Sequence, residues 1–440
     1  MAANDHPSAT SSQGSDANDN VARSRETHRA IETVFRIERA RIIAALTRFV
    51  RDVGLAEEFA QDALIAALRH WPETGVPDRP GAWLITSAKR RAIDHFRRAR
   101  MAQGKMALLG AEAEADSLVE QPNLDDDLGD DLLGLMFVAC HPVLSTEARV
   151  ALTLRLVGGL TTEEIARAFL VSEPAMAQRI VRAKRSLAQS LAAFELPSGP
   201  ERAERLSSVL EVLYLVFNEG YSATKGEDLI RPQLCKEAMR LGRILAGVAP
   251  GDAEVHGLVA LMELQASRLA ARTSSNGEPI LLLNQNRARW DRLLIKHGLA
   301  ALERAEVSAV RPGPYTLQAA IAACHARAGT ADETDWVRIS GLYSTLAALA
   351  PSPVIELNRA MALAMAFGPA SGLELADQLA HEPTLRNYHL VPSVRADLLM
   401  KLGRLAEARC EFERAAALTQ NERERAMLLR QASACLGHGA

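Results

Sequence analysis

The sequence predicts an all-α protein, and three observations lead to this fold class. The 440-residue chain is rich in alanine, the residue with the highest helix propensity. Only 4% of its residues are aromatic, and it has few of the β-branched runs that favour strands. Apolar residues recur at the three- and four-residue spacing of amphipathic helices. A β-sandwich, a β-barrel and a collagen-like chain are therefore excluded.

The first predicted domain contains three helices and follows a polar tail. Residues 1–25 lack an apolar segment and are expected to be disordered. The helical periodicity then predicts a domain over residues 26–100, in which prolines and glycines make Glu73–Ala82 a loop. Its helices are predicted at 31–50, at 56–71 and from Trp83 to about Arg100.

The second predicted domain covers residues 130–196 and follows an acidic linker at 101–129. Thr161 and Glu164 have the spacing of a capping box, which starts a helix. Ser172 can cap the next helix after a short turn, and that helix carries four basic residues and one acid between Ser172 and Ser190. Two short helices joined in this way, the second of them basic, are typical of a helix-turn-helix.

The remaining residues, 197–440, are predicted to form pairs of helices separated by glycine or proline. Gly368 and Gly403 lie 35 residues apart in similar inter-helix positions, close to the period of tetratricopeptide repeats. The small and aromatic positions of that repeat match the last pair. This pattern predicts an α-solenoid extension, on which an unknown protein or ligand could bind. The matching positions are Ala396, Gly403, Ala408, Phe412 and Ala415.

Several classes of function are not indicated. The five cysteines are an odd number without metal-ligand or disulfide spacing, which fits a reducing cytoplasm, and no metal or cofactor is expected. No Walker loop, zincin motif or nucleophile elbow is present, so we do not expect an enzyme. No apolar run has the length of a membrane span, so no membrane partner is expected.

Three stretches, in this order, resemble bacterial RNA polymerase sigma factors of the extracytoplasmic-function type. AEEFAQDALIAALRHWP is similar to the segment that grips the polymerase clamp, and RPGAWLITSAKRRAIDHFRRAR to the helix that opens and reads the −10 element. LTTEEIARAFLVSEPAMAQRIVRAKRSL is similar to the −35-reading helix-turn-helix. The long C-terminal part resembles the helical extension that one subgroup of these factors carries. We expect this extension to regulate the activity of the protein.

The resemblance implies region 2 and region 4 domains that bind core RNA polymerase and promoter DNA and initiate transcription. The implied polymerase contacts are Gln61, Asp62 and Leu64. The implied −10 contacts are Trp83, Lys89, Arg90, Arg91, Arg97 and Arg98, and the implied −35 contacts are Met176, Gln178, Arg179, Arg182, Lys184 and Arg185.

The residue chemistry suggests a division of roles within these sets. Gln178 and Arg179 suit adenine and guanine edges in a major groove, whereas Arg182, Lys184 and Arg185 suit phosphates. Trp83 is either a core anchor or a stacking platform for a base. An alternative function is a helix-turn-helix activator with a helical-repeat sensor. That activator would need neither DALIAALRHW nor the basic helix after Trp83.

Overall fold

The computed structural model describes residue 31 and residues 33–35, 37–102, 127–169, 171–190, 197, 199–222, 230–274, 276 and 278–437. Within these ranges all the regular elements are helices and no β-strand occurs, which confirms the all-α fold class. The predicted tail 1–25 and the linker residues 103–126 lie outside the described residues.

The chain divides into two compact units. The first contains the described residues up to 165 together with Glu173–Ser208, and the second contains Ala166–Ser172 together with Val209–Ala440. The helices of the first unit are α1 (37–50), α2 (Val53–Thr74), α3 (Pro80–Ala102), α4 (Asp127–Ala139), α5 (Thr146–Leu156) and α7 (Glu173–Gln189). Two helices contribute residues to both units: α6 (Thr162–Ala168) and α8 (Gly199–Tyr221).

The loop between α2 and α3 is shorter than the sequence predicts. The sequence predicts that this helix ends at residue 71, but α2 continues through Pro72 to Thr74, and the N–H of Gly75 donates to the Trp71 carbonyl. A proline this close to a helix end removes only one hydrogen bond, so the helix can pass through it. Pro80 starts α3, three residues before Trp83, because the first position of a helix needs no N–H donor.

The second unit continues as a series of helices in which chain neighbours pack on each other. They are α9 (Pro232–Val248), α10 (Ala253–Ala266), α11 (Arg292–Ser308), α12 (Pro314–Arg327), α13 (Trp336–Leu349), α14 (Pro353–Phe367), α15 (Pro369–Leu379), α16 (Leu390–Lys401), α17 (Leu405–Leu418) and α18 (Glu422–Gly437). This succession is the packing expected of an α-solenoid.

The predicted repeat positions have the expected environments. Gly368 (φ 102°) and Gly403 (φ 75°) lie between paired helices. Both have a positive φ, which residues with a Cβ atom rarely adopt. Ala396, Ala408 and Phe412 are buried in one apolar cluster with Ala415. Elsewhere in this unit Gly220 permits a close approach, because a Cβ atom at this residue would lie 2.7 Å from the Cys235 nitrogen.

Candidate nucleic-acid interface

The helix-turn-helix forms as the capping chemistry predicts. The N–H of Thr161 donates to Glu164 Oε2 (2.8 Å), and the N–H of Glu164 donates to Thr161 Oγ1 (3.1 Å). This reciprocal capping box starts α6 at Thr162, and α7 begins at Glu173 after the turn. The local sequence therefore determines where α6 begins.

One face of α7 is buried and the other carries the polar and basic residues. Ile180 and Leu187 are buried as the helical spacing predicts. Met176 lies on the same face and is 1% exposed, so its side chain packs in the core and is not available to a DNA groove. This burial argues against the −35 contact at Met176, which stays a prediction. Its position four residues before Ile180 places it on the buried stripe.

The predicted base- and phosphate-reading residues other than Lys184 lie on the opposite face of α7. Gln178, Arg182 and Arg185 are exposed and Arg179 is half-buried. A guanidinium N–H of Arg182 donates to Gln178 Oε1 (3.3 Å), one turn away. These side chains form a basic, solvent-facing stripe, the arrangement that a major groove accepts. Their contacts with −35 DNA remain a prediction.

The basic residues of α3 form a second solvent-facing group. Arg90, Arg97 and Arg98 are exposed, whereas Lys89 and Arg91 are half-buried. Arg98 Nε donates to the Asp94 carbonyl (3.2 Å), which leaves its other guanidinium N–H groups toward solvent. A helix presenting such cations can hold a nucleic-acid backbone, because phosphate contacts supply affinity without reading sequence.

Trp83 lies at the start of this basic helix and packs against α2. Its ring meets that of Trp71 edge-on, with centroids 5.3 Å apart, and Trp71 is 1% exposed. Edge-to-face pairs of this kind are favourable in cores. The contact supports the anchor role that the sequence left open. A DNA contact at Trp83 remains a prediction.

The predicted polymerase contacts share the solvent side of α2. Gln61 is exposed, and Asp62 and Leu64 are half-buried. Ile65 is 43% exposed beside them, a residue that the sequence reading did not include. An Arg91 guanidinium nitrogen lies 3.5 Å from Asp62 Oδ2, so one ion pair joins the predicted polymerase and −10 sets. This surface combines exposed apolar and polar side chains, as protein interfaces do.

A buried carboxylate at Glu57 of α2 binds three cations of the first unit. Glu57 Oε1 accepts from Arg39 Nη2 (2.6 Å) and lies 2.8 Å from Arg155 Nε. Glu57 Oε2 accepts from the Lys184 ammonium of α7. We call these four residues the Glu57 cluster. Lys184 is also a predicted phosphate contact. Because its ammonium is bound to Glu57 in this cluster, DNA can reach it only after that bond breaks.

Electrostatics keep Glu57 ionised in spite of its burial. Burial alone would raise the pKa of Glu57, but Lys184, Arg155 and Arg39 outweigh it and hold that pKa below its ordinary value. The sequence reading missed this residue. The available signal was its position, because Glu57 shares a helix face with Val53 and Ala60, which are both buried.

Among the described residues, no group of His, Cys, Asp and Glu side chains is arranged to hold a metal ion. None of the described helices combines the length and apolarity needed to cross a membrane. The five cysteines are free thiols, and all except Cys410 are buried.

Comparison with protein families identifies three segments. Residues 34–101 match sigma-70 region 2, and residues 135–187 match sigma-70 region 4. Residues 205–306 match a family of unknown function, DUF6596. The first two segments contain the α3 and α7 basic helices, and the third begins within α8.

Individual proteins similar to this chain include two sigma factors. The chain is 44% identical over 89% of its length to an uncharacterized protein from Rhizobium meliloti, and this match covers 93% of that protein. It is 27% identical to the probable ECF RNA polymerase sigma factor SigI of Mycobacterium tuberculosis over 37% of this chain and 56% of that one. It is 33% identical to the ECF sigma factor SigK of Mycobacterium sp. (strain KMS), over 29% and 65%. No solved structure matches the chain.

Proposed function

The chain belongs to the extracytoplasmic-function type of sigma factors, and on this premise we propose that it binds core RNA polymerase and directs it to promoters. The observation that carries this proposal is the presence of two exposed basic helices, α3 and α7, inside the segments that match regions 2 and 4. A promoter factor must hold DNA at two separated elements, and each helix supplies the cations for one of them.

Run-off transcription with purified core polymerase tests this function. The template is the DNA upstream of the protein's own gene, and the expected result is a discrete transcript that requires both the protein and core polymerase. A helix-turn-helix activator would instead bind this DNA without core polymerase and yield no transcript with core alone. That outcome would replace the sigma-factor proposal with the activator.

A pair of arginine substitutions tests the division of roles along α7. Arg179→Ala is expected to lower transcription at one or two −35 positions, since a bidentate base contact supplies about 1–3 kcal/mol of discrimination. Arg185→Ala is expected to weaken binding about equally on all sequences and to reduce its salt dependence. Identical profiles of the two variants on a −35 library would contradict this division.

We further propose that the second unit regulates −35 recognition. This unit includes Ala166–Ser172, the residues that join the two helices of the helix-turn-helix. Within the unit, the Arg231 guanidinium donates to the Ala168 carbonyl and pairs with Glu219. Arg231 thereby holds the last residue of α6, and a shift of this arginine would alter the turn before α7.

The regulation of −35 recognition by the second unit is tested better by point substitutions than by truncation at residue 197, where the predicted extension begins. Truncation there would also remove Ser208 of the first unit, whose hydroxyl donates to the Cys140 carbonyl (2.9 Å). Arg231→Ala is expected to change transcription from a −35-dependent promoter by a few-fold or more. Arg240→Ala is the control, since Arg240 forms an exposed i,i+3 pair with Glu237. Equal activity of both variants and the unaltered protein would contradict the regulatory proposal.

A further inference from the structure

The second unit contains a cavity of about 240 Å³ that the region 2 and region 4 functions do not use. A single water molecule needs only about 10–15 Å³ on such a measure, so the space is large enough for a small organic molecule. Helices α8, α12, α13 and α14 contribute to its lining, together with residues at the end of α10. All these residues belong to the second unit.

The charge in this lining has one sign. Arg268 is the only charged side chain among the described lining residues. Its guanidinium lies 5.8 Å from the Tyr221 ring centroid and 5.9 Å from that of Trp290, and it forms no ion pair with a described carboxylate. Aromatic rings orient a guanidinium without neutralising its charge. The cavity therefore presents a cation that an anion can still bind.

The neutral polar groups of the lining are also available to a ligand. His325 is 8% exposed, and no described residue bonds to its Nδ1 atom. Burial and the nearby Arg268 and Arg287 lower the pKa of His325 to about 3, so its ring is neutral. Burial raises the pKa of Tyr343 to about 12, which keeps its hydroxyl protonated as a donor. A buried nitrogen without a partner is costly, and a bound ligand removes that cost.

The rest of the lining favours a ligand with a flat or apolar body. Ile321, Leu346 and Ile355 supply aliphatic surface, and Tyr214 and Tyr343 supply rings. Tyr214 donates its hydroxyl hydrogen to Gln318 Oε1 (3.0 Å), which fixes the position of its ring. The amides of Gln265, Gln318 and Asn358 complete the lining, so the wall offers polar groups beside these apolar surfaces. A small-molecule site needs both kinds of surface, one to hold the body of the ligand and one to orient it.

We propose that this cavity binds a small organic anion, with its carboxylate or phosphate on Arg268 and its body between the aromatic and aliphatic walls. A planar guanidinium forms two parallel hydrogen bonds with either anion. The neutral His325 and Tyr343 hydrogen-bond lone pairs of the anion's oxygen atoms that the guanidinium leaves open. The binding itself does not depend on sigma activity. Only a regulatory consequence of binding rests on the proposed function.

Calorimetry on the full-length protein tests the site with four defined probes. These are benzoate, phenyl phosphate, the neutral isostere benzamide and inorganic phosphate. We expect saturable binding of at least one aromatic anion and about tenfold weaker binding, or none, of benzamide, since charge-assisted hydrogen bonds are the stronger kind. Equal binding of benzamide would overturn the anion assignment. Equal binding of inorganic phosphate would show a simple anion site and overturn the organic one.

Substitutions locate the binding within the cavity. Arg268→Gln is expected to weaken aromatic-anion binding about tenfold or more, whereas Arg289→Gln, at an exposed arginine outside the lining, leaves it unchanged. Tyr343→Phe removes one hydroxyl without changing the ring and is expected to weaken binding several-fold at an unaltered melting temperature. Unchanged affinity in both Arg268→Gln and Tyr343→Phe, or no binding of either aromatic anion, would overturn the proposal. Neither outcome depends on transcription, so the proposed sigma function is tested separately.

Discussion

In the first unit an ionised carboxylate lies at the centre of the Glu57 cluster, whereas the core of the second unit near its C-terminus is apolar and made mostly of alanine and leucine around Phe412. Glu57 and Lys184 are 127 residues apart in the sequence, so this bond closes a long stretch of chain. The cluster around Phe412 instead joins helices that follow one another, from α14 to α18.

This difference shows that the two units respond to different influences. The cations of the Glu57 cluster can exchange the Glu57 carboxylate for another anion, such as a phosphate or a carboxylate of a partner protein. Apolar contacts between successive helices offer no such competition. The bond between Lys184 and Glu57 would therefore couple the predicted phosphate contact of Lys184 to the internal packing of the first unit. The cluster around Phe412 contains no charged side chain for such an exchange.

Removing the aromatic ring from the second core is expected to have the largest effect on stability. Phe412 is 1% exposed, and Phe412→Ala should destabilise the second unit by about 3–5 kcal/mol through lost burial and a residual cavity. Hydrogen exchange resolved by peptide should show faster exchange in α14–α18 and unchanged exchange in α2 and α5. Equal loss of protection in both units would show that they unfold together and would contradict the comparison.

Removing the charge of Glu57 is expected to destabilise the first unit by a similar but smaller amount. Glu57→Gln leaves Arg39 buried without its carboxylate, a change that costs about 3 kcal/mol when the other cations remain partly hydrated. The readout is urea unfolding followed by exchange in α2 and α7. Glu237→Gln, at the exposed pair with Arg240, is the control. A shift no larger than that of the control would show that the cluster is energetically neutral.

Acid is expected to weaken the second unit through His325 and the first unit through Glu57, with a further contribution in the first unit from His141, whose pKa burial lowers. The pKa of His325 falls to about 3 on folding, so the second unit loses stability as pH drops below the ordinary histidine value of about 6.5. This loss amounts to about 2 kcal/mol at pH 5. The lowered pKa of Glu57 gives stability that is present above about pH 4.5 and is lost on further acidification.

A pH series from 7 to 3 checks these windows. His325→Gln should remove most of the slope of the second unit between pH 7 and 5 and leave that of the first unit unchanged. Glu57→Gln should instead flatten the first unit's response below about pH 4.5. A His325→Gln protein that keeps the full slope between pH 7 and 5 would assign it to other groups.

The smallest expected stability change is at the exposed pair of Asp62 and Arg91, which belongs to neither core. Its side chains are 41% and 38% exposed, so Asp62→Arg should alter stability by only about 0–1 kcal/mol. The same substitution should strongly reduce co-purification with core RNA polymerase. Glu303→Arg, at an exposed acid of α11 far along the chain from the clamp-like segment, is the control. Unchanged co-purification of Asp62→Arg would remove this residue from the polymerase contacts.

Much of the fold could be predicted from local sequence, because helix formation and capping involve residues a few positions apart. The capping box at Thr161 and the buried positions Ile180 and Phe412 all follow the predicted pattern. The prediction was less accurate where two local effects compete. At Pro72 the loss of one hydrogen bond was smaller than the gain from continuing α2 over the buried Trp71.

By itself the sequence determined the all-α class, the helix-turn-helix and the basic faces of α3 and α7. These features depend on the helical period and on charge, both of which can be read along the chain. Only the tertiary structure decided that Lys184 binds Glu57 and that Arg268 and His325 line one cavity. Periodicity tells which face of a helix is apolar, but it does not tell which distant residue packs against that face. The partners of a buried charge therefore depend on which distant residues the folded chain brings next to it.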